Sequence, residues 1–408
     1  MSRTRVFISV PKENGDYESF QEITNDVLEK GITKIKQQLD SNEYDIGTIR
    51  FNKITLTLRN DHSKFSEPID NRSIFRFTKD KSIVRVLWDK NTNPDDCGSA
   101  PCGHFFLSQP VEIYEGLIDD STSKQDYETQ TIKFDILSKD YILGKTEVPF
   151  LSLSVADDAQ NLIFKILNQT EITKFLNVDI SNINLDNNFT PDAIDSLENK
   201  TCLEGLQDIL LLANSILYVD RNDNVIISPR NASAQVINTF YGSASAEGNE
   251  SIINIKNYTD GLNRTFNFLR WKDTNLTQSF LDSREKYGTR IKEIESDLLT
   301  DNAKRLLVLN KILNEFGFPK VEMDLLAPIS TPLVLNIFFL SKVKIDLPAE
   351  VRDTGGEYPA IYGPAVYGVS NYAFTYGGIV IPIGSDWKVM NIETDLRGDV
   401  VIYRLRGV

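Results

Sequence analysis

Thr131-Ile132-Lys133-Phe134-Asp135-Ile136 sets an apolar side chain at every second position, the period of a strand with one face on a core and the other in water. Working outward from it, the same β-branched and aromatic character returns in Val111-Glu112-Ile113-Tyr114, Ser82-Ile83-Val84-Arg85-Val86-Leu87-Trp88 and Ile54-Thr55-Leu56-Thr57-Leu58, each bounded by turn signals. Strands spaced in this way predict an antiparallel β meander or barrel over residues 1–150. One stretch departs from the pattern. Between Tyr17 and Leu39, Ile23, Val27 and Leu28 fall at helical spacing before Gly31, and Ile32, Ile35 and Leu39 follow, which predicts a helical insert.

After Phe150 the period lengthens. Ser154 stands three residues before Asp157, and Leu162, Ile163, Ile166 and Leu167 then form one apolar face, so a capped helix is expected. Thr201-Cys202-Leu203-Glu204 repeats the capping signal, and Leu203, Leu206, Ile209, Leu210 and Ala213 again make a stripe. Ile216-Leu217-Tyr218-Val219, the polar turn Asp220 to Asn224, and Val225-Ile226-Ile227 read as a hairpin packed on that second helix. Residues 151–230 are therefore expected to form a small α/β module. From Asn231 the strand pattern resumes, in Ile252 to Ile255, Arg264 to Leu269, Val321 to Leu325, Leu333 to Ile345, Trp387 to Ile392 and Val400 to Leu405. A helix carrying Ala303, Leu306, Leu307, Leu309, Ile312, Leu313 and Phe316 interrupts it and ends at Gly317 and Pro319. The fold class expected is mainly β with an α+β insert: a β domain at 1–150, the module at 151–230 and a second β domain at 231–408.

The chain has 408 residues, so ~150 residues per domain gives two or three domains. Hydrophobic residues at 41% and charged residues at 25% are those of a globular chain, not a disordered or collagen-like one. Asp and Glu outnumber Lys and Arg by 58 to 44, for a formal charge of -14, the wrong sign for gripping a phosphate backbone. The opening Met1 to Ile8 has no secretory apolar region. Leu333 to Leu340 contains Asn336 and falls short of the ~20 residues that span a bilayer, so no transmembrane segment is expected.

Three cysteines point to reduced thiols and a cytosolic folding compartment. Cys97, Cys102 and His104 form Cys-x4-Cys-x-His, three ligand types that zinc takes. The two-residue spacing and the second ligand pair of a zinc module are missing, so the segment reads as a hairpin loop, plain or disulfide-closed. Only His62 and His104 are available for a Ser-His-Asp or Cys-His arrangement, and neither Gly-x-Ser-x-Gly nor His-Glu-x-x-His occurs. Gly144-Lys145-Thr146 lacks the earlier glycine of a phosphate loop, because Lys139 occupies that position. Asp220, Asn222 and Asn224 are spaced as calcium ligands, but Val225 replaces the turn glycine and Asn231 the bidentate glutamate. Asp119-Asp120 and Asp157-Asp158 have the residue types of a glycosidase pair but read as turn and capping carboxylates. No catalytic constellation and no cofactor is expected. Tyr358, Tyr362, Tyr367, Tyr372 and Tyr376 lie in a Tyr/Gly-rich stretch from Gly355 to Gly378, where rigid amphipathic rings suit loop packing, a subunit contact or sugar stacking.

The order of segments resembles phage baseplate hub and tail-tip proteins. Leu58-Arg59-Asn60-Asp61-His62-Ser63-Lys64-Phe65 resembles the Leu-x-Asn-x-x-x-x-Phe turn of that family's first barrel, Glu112-Ile113-Tyr114-Glu115-Gly116-Leu117-Ile118-Asp119 its following strand, and the strand ending in Phe134-Asp135-Ile136-Leu137 the next. Thr201 to Arg230 is similar to its helix and hairpin, and Tyr258 to Asn267 to the opening of its second barrel. Ser283, Tyr287-Gly288, the helix before Pro319-Lys320, and Trp387 to Val408 continue the likeness. The resemblance implies two tail-tube-like barrels and a homotrimer that imitates a sixfold ring around the tail channel. It also implies a tail tube or distal tail protein above, a tip, spike or fibre below, and a possible contact with a tape-measure protein. The location implied is the virion tail, after synthesis in the host cytoplasm. On that reading DNA passes through the lumen without specific binding, and the acid excess would keep phosphates from sticking. The rival expectation is a carbohydrate-binding or carbohydrate-cleaving module, suggested by the tyrosine-rich loop and the abundant acids.

Overall fold

The computed structural model describes residues 4–32, 34–38, 49, 51–68, 72–75, 77–88, 111–232, 236–241, 252, 254–272, 274–328, 337–346, 373–376, 379–382, 386–396 and 400–407. They pack as two units, one from Met1–Gln37, Phe51–Tyr141 and Glu393–Val400, the other from Gln38–Arg50, Ile142–Ile392 and Val401–Val408. The architecture is mainly β, with antiparallel sheets and few helices.

The first unit contains β1 (Thr4–Ser9), β2 (Gln21–Glu22), β3 (Lys34–Gln38), β4 (Lys53–Arg59), β5 (Ile83–Trp88), β6 (Val111–Asp126) and β7 (Thr131–Ser138). They lie in the order β3-β4-β7-β6-β5-β1-β2, with every neighbouring pair antiparallel. β3 is not an edge, since it also neighbours the strand Asp386–Asp395, whose residues 393–395 belong to this unit; among the described residues β2 pairs with β1 alone, so the row is not closed into a barrel. The alternation in β7 sets its register: Ile132, Phe134 and Ile136 stand opposite Leu58, Leu56 and Ile54, and all six are buried. A one-residue slip would turn every one of them to water. At roughly 1.5–3 kcal/mol per buried large aliphatic or aromatic side chain, that penalty dwarfs any gain from the new pairing.

Among the described residues between Tyr17 and Leu39 the expected helix does not form. The described part of this stretch holds β2, one tight turn at Thr24–Asp26, and β3; Leu39 lies outside the described residues. Its backbone groups bond across to strands instead of up a helix. Ile23 N donates to Val6 O at 2.8 Å, Leu28 N to Thr57 O at 3.2 Å, and Thr57 N to Gly31 O at 3.0 Å. Gly31 is required there, because a Cβ would sit 2.4 Å from Thr57 O.

In the second unit α1 (Ala159–Leu167), α2 (Thr170–Thr173) and α3 (Cys202–Leu212) precede the hairpin of β8 (Ser215–Val219) and β9 (Val225–Pro229). The true cap of α1 is Asp158, which accepts from Asn161 N at 2.9 Å; Asp157 closes the turn before it by accepting from Ser154 N. Thr201 and Glu204 form the reciprocal capping box read from the sequence. Next come β10 (Val236–Tyr241), β11 (Asn254–Thr259), β12 (Phe268–Trp271), β13 (Thr277–Ser279), α4 (Leu281–Tyr287), β14 (Ile291–Ile294) and α5 (Asn302–Phe316). They are followed by β15 (Glu322–Pro328), β16 (Lys342–Asp346), β17 (Ala373–Tyr376), β18 (Ile379–Pro382), β19 (Asp386–Asp395) and β20 (Val400–Gly407).

The larger sheet of this unit runs β11-β15-β20-β19-β16-β10, with the β10–β16 pair parallel. A smaller sheet, β13-β12-β14, lies beside α5, and its β12–β14 pair is also parallel. The buried stripe of α5 is Val308, Leu309, Ile312, Leu313 and Phe316. Ala303 and Leu307, expected on that stripe, face solvent, while Arg305 lays its guanidinium over the Trp271 ring at 5.1 Å. No helix of the described residues is long and apolar enough to cross a membrane.

Candidate functional site

The stretches that carried the resemblance each turn out to contain a residue doing a specific structural job. In the first unit, Asn60 is buried in the turn after β4. Its Oδ1 accepts from Phe65 N at 2.7 Å, and its Nδ2 donates to Ser66 Oγ at 2.9 Å. The Leu-x-Asn-x-x-x-x-Phe spacing is thus a turn whose polar centre is satisfied internally while Leu58 and Phe65 enter the core. On β6, the Tyr114 hydroxyl lies 2.9 Å from Asn52 O and 3.0 Å from Ile136 O. Gly116 lets β7 approach, since a Cβ there would meet Leu137 O at 2.4 Å. Asp119 accepts from Ser121 N and from the Tyr141 hydroxyl, each at 3.2 Å.

In the second unit three separated stretches meet. Asn267 is fully buried: its Oδ1 accepts from Arg290 N at 2.8 Å, and its Nδ2 donates to Gly288 O at 2.8 Å and Ser283 Oγ at 3.3 Å. Ser283 Oγ in turn donates to Gly317 O at 2.5 Å. Gly261, at φ 68°, lies so close to the chain after α5 that a Cβ would be 1.8 Å from Lys320 O. Glu322 on β15 binds two arginines: Arg406 Nε donates to its Oε1 at 2.9 Å, and Arg264 Nη1 lies 3.2 Å from the same oxygen.

Beside this junction lies a cavity of about 230 Å³ whose wall includes Arg230, Lys320, Lys388, Arg406 and Glu315. Lys388 donates to Arg230 O at 2.9 Å, and Lys320 meets Glu315 Oε1 at 3.0 Å. Burial pulls the Lys388 ammonium down to about 8; Glu315 opposes that shift, while Lys320, Arg406 and Lys342 add to it.

Neither a family model nor a curated protein matches the sequence. Two solved structures match it from end to end. A tail protein from Neisseria meningitidis MC58, 11% identical, aligns over 99% of this chain and 96% of its own with a TM-score of 0.54. The 43 kDa tail protein of prophage MuSo2 from Shewanella oneidensis, 10% identical, aligns over 98% and 97% with a TM-score of 0.53. The chain has the fold of these tail proteins. At the level of fold, the resemblance read from the sequence is borne out.

In the tail-protein fold most candidates dismissed from the sequence have ordinary structural partners. Asp220 Oδ1 accepts from Asn222 N at 2.8 Å and Asn224 N at 2.9 Å, making the hairpin turn in place of a calcium loop. Asp157 pairs with Lys165 at 2.7 Å. Asp120 lies 3.8 Å from Lys79, and its pKa is raised, chiefly by burial. His62 sits in the Asp61–Ser63 turn at φ 56°. Cys97, Cys102 and His104 lie outside the described residues, as do Tyr358, Tyr362, Tyr367 and Tyr372; Tyr376 ends β17 opposite Ile379. Among the described residues no group of three His, Cys, Asp or Glu side chains is placed to hold a metal. Sequence reasoning missed the cavity because its cations come from β19, β20 and the chain just after β9 and after α5, with no motif joining them.

Proposed function

We propose that this chain is a structural protein of a phage tail, the hub at the baseplate or tail tip. Two tube-like β domains, at 1–150 and 231–408, flank the module at 151–230, and three copies build a ring around the channel that imitates six subunits. The chain acts by assembly, adapting a sixfold tube above to a threefold tip, spike or fibre below, and its excess of acids eases DNA through the lumen. The observation that carries this reading is likeness in fold over nearly the whole length of two tail proteins. The free edge at β2 in the first unit is consistent with it, because an unpaired strand edge is covered most simply by a neighbouring subunit.

Size-exclusion chromatography with light scattering on the full chain should give a trimer, and negative-stain images should show rings with six wall segments. A protein that stays monomeric at high concentration and joins no tail particle would end the proposal.

A further inference from the structure

We propose that the cavity walled by Arg230, Lys320, Lys388 and Arg406 is a binding site for a tetrahedral oxyanion of the phosphate class. The argument begins with charge. Four cations line the wall against one carboxylate, Glu315. A further carboxylate, Glu322, is shared between Arg406 and Arg264, so among these described residues five cations meet two acids. This excess has the opposite sign to the chain's formal charge of -14.

The cations are also fixed in place. Arg230, Lys388 and Arg406 are each less than a tenth exposed. Arg230 stacks over the Phe316 ring at 5.8 Å, Arg406 is held by Glu322 and Lys388 by the Arg230 carbonyl. Lys388 donates one of its three ammonium protons to that carbonyl and forms no ion pair with a carboxylate among the described residues. A buried ammonium held only by a carbonyl is costly unless a counter-charge arrives. Its pKa is pulled down in the direction that such a deficit produces.

The ligand class follows from the geometry. The donors come from the chain just after β9, from β19 and β20, and from the chain after α5, so they surround the cavity instead of forming a flat fork. A planar monoanionic carboxylate matches one fork, whereas a tetrahedral dianion presents oxygens in several directions and neutralises more of the excess. A volume of about 230 Å³ leaves room beyond a single phosphate. The phosphate can therefore be free or carried at the end of a small ester.

The test uses the full chain in a zwitterionic buffer at constant ionic strength. Isothermal titration calorimetry with inorganic phosphate, and separately with glycerol 3-phosphate, should show one site per chain and a matching rise in melting temperature, whereas acetate at the same ionic strength should show neither. Tighter binding of inorganic phosphate identifies the free ion, and tighter binding of the ester a carried phosphate. Lys388→Met keeps the buried stem and should weaken binding at least tenfold. Lys320→Ala, at a side chain one third exposed and so tolerant of change, should weaken it several-fold. Lys133→Met, on the exposed face of β7, should leave it unaltered. No heat and no thermal shift at millimolar phosphate, binding that survives both Lys388→Met and Lys320→Ala, or equal binding of acetate would each overturn the assignment.

Discussion

Asn267 shows how much one polar side chain can hold in this protein. Replacing it with Ala removes three hydrogen bonds, the one from Arg290 N and those to Gly288 O and the buried Ser283 Oγ, each worth about 0.5–1.5 kcal/mol net. Asn267→Ala should therefore lower stability by at least ~2 kcal/mol, read as a fall in the urea midpoint; an unchanged midpoint would refute the role. Asp140 works in the opposite sense. Burial pushes its carboxyl up to about 6, against hydrogen bonds from Ser138 and the local backbone that lower it. Because the folded value exceeds the unfolded one, the native state holds the extra proton between about pH 4 and 6, and stability falls as pH rises through that window. Asp140→Asn removes the buried charge and should stabilise the protein at pH 7, by up to about 3 kcal/mol. The gain should vanish at pH 4, and an equal gain at both values would show another cause. Neither role was legible beforehand. Asn267 stood in a stretch picked out by resemblance, but its partners are 16 to 23 positions away, and a buried aspartate has no local spacing that announces it.

Elements were read well where local chemistry decides them. β7 has its period in its own side chains, and the Thr201 to Glu204 capping box forms from residues three apart. The stretch between Tyr17 and Leu39 misled because apolar residues that rest on β1 and β4 need no strict alternation, so their spacing imitated a helix. Leu307 misled for a related reason: α5 has apolar residues on more than one face, and packing chose the stripe through Val308. Gly261 belongs to the same scale, since it fixes how the turn before β12 passes the chain leaving α5. Gly261→Ala would combine a left-handed backbone at φ 68° with a Cβ forced onto Lys320 O. The expected result is a loss of more than ~1 kcal/mol in chemical denaturation. A neutral outcome would mean the turn yields easily.

For the whole molecule, sequence reasoning reached the mainly β class and the tail-protein likeness through the order of its parts, although no single part was distinctive. It could not reach the cationic cavity, because tertiary structure alone collects those side chains. The same dependence on distant segments governs the hairpin of β19 and β20. Residues 393–400 complete the first unit and residues 401–408 the second, and Arg406 provides half of the arginine pair that neutralises Glu322. Domains usually fold in the order they are synthesised. Here the first unit includes a segment that begins 252 residues after Tyr141 (393 − 141), so its closure is expected to wait for that segment. Ribosome-bound chains arrested before Glu393 should be cut rapidly by protease in both units, and protection of residues 51–141 in such chains would contradict this. Synthesis of that hairpin would then set the earliest moment at which either unit can close.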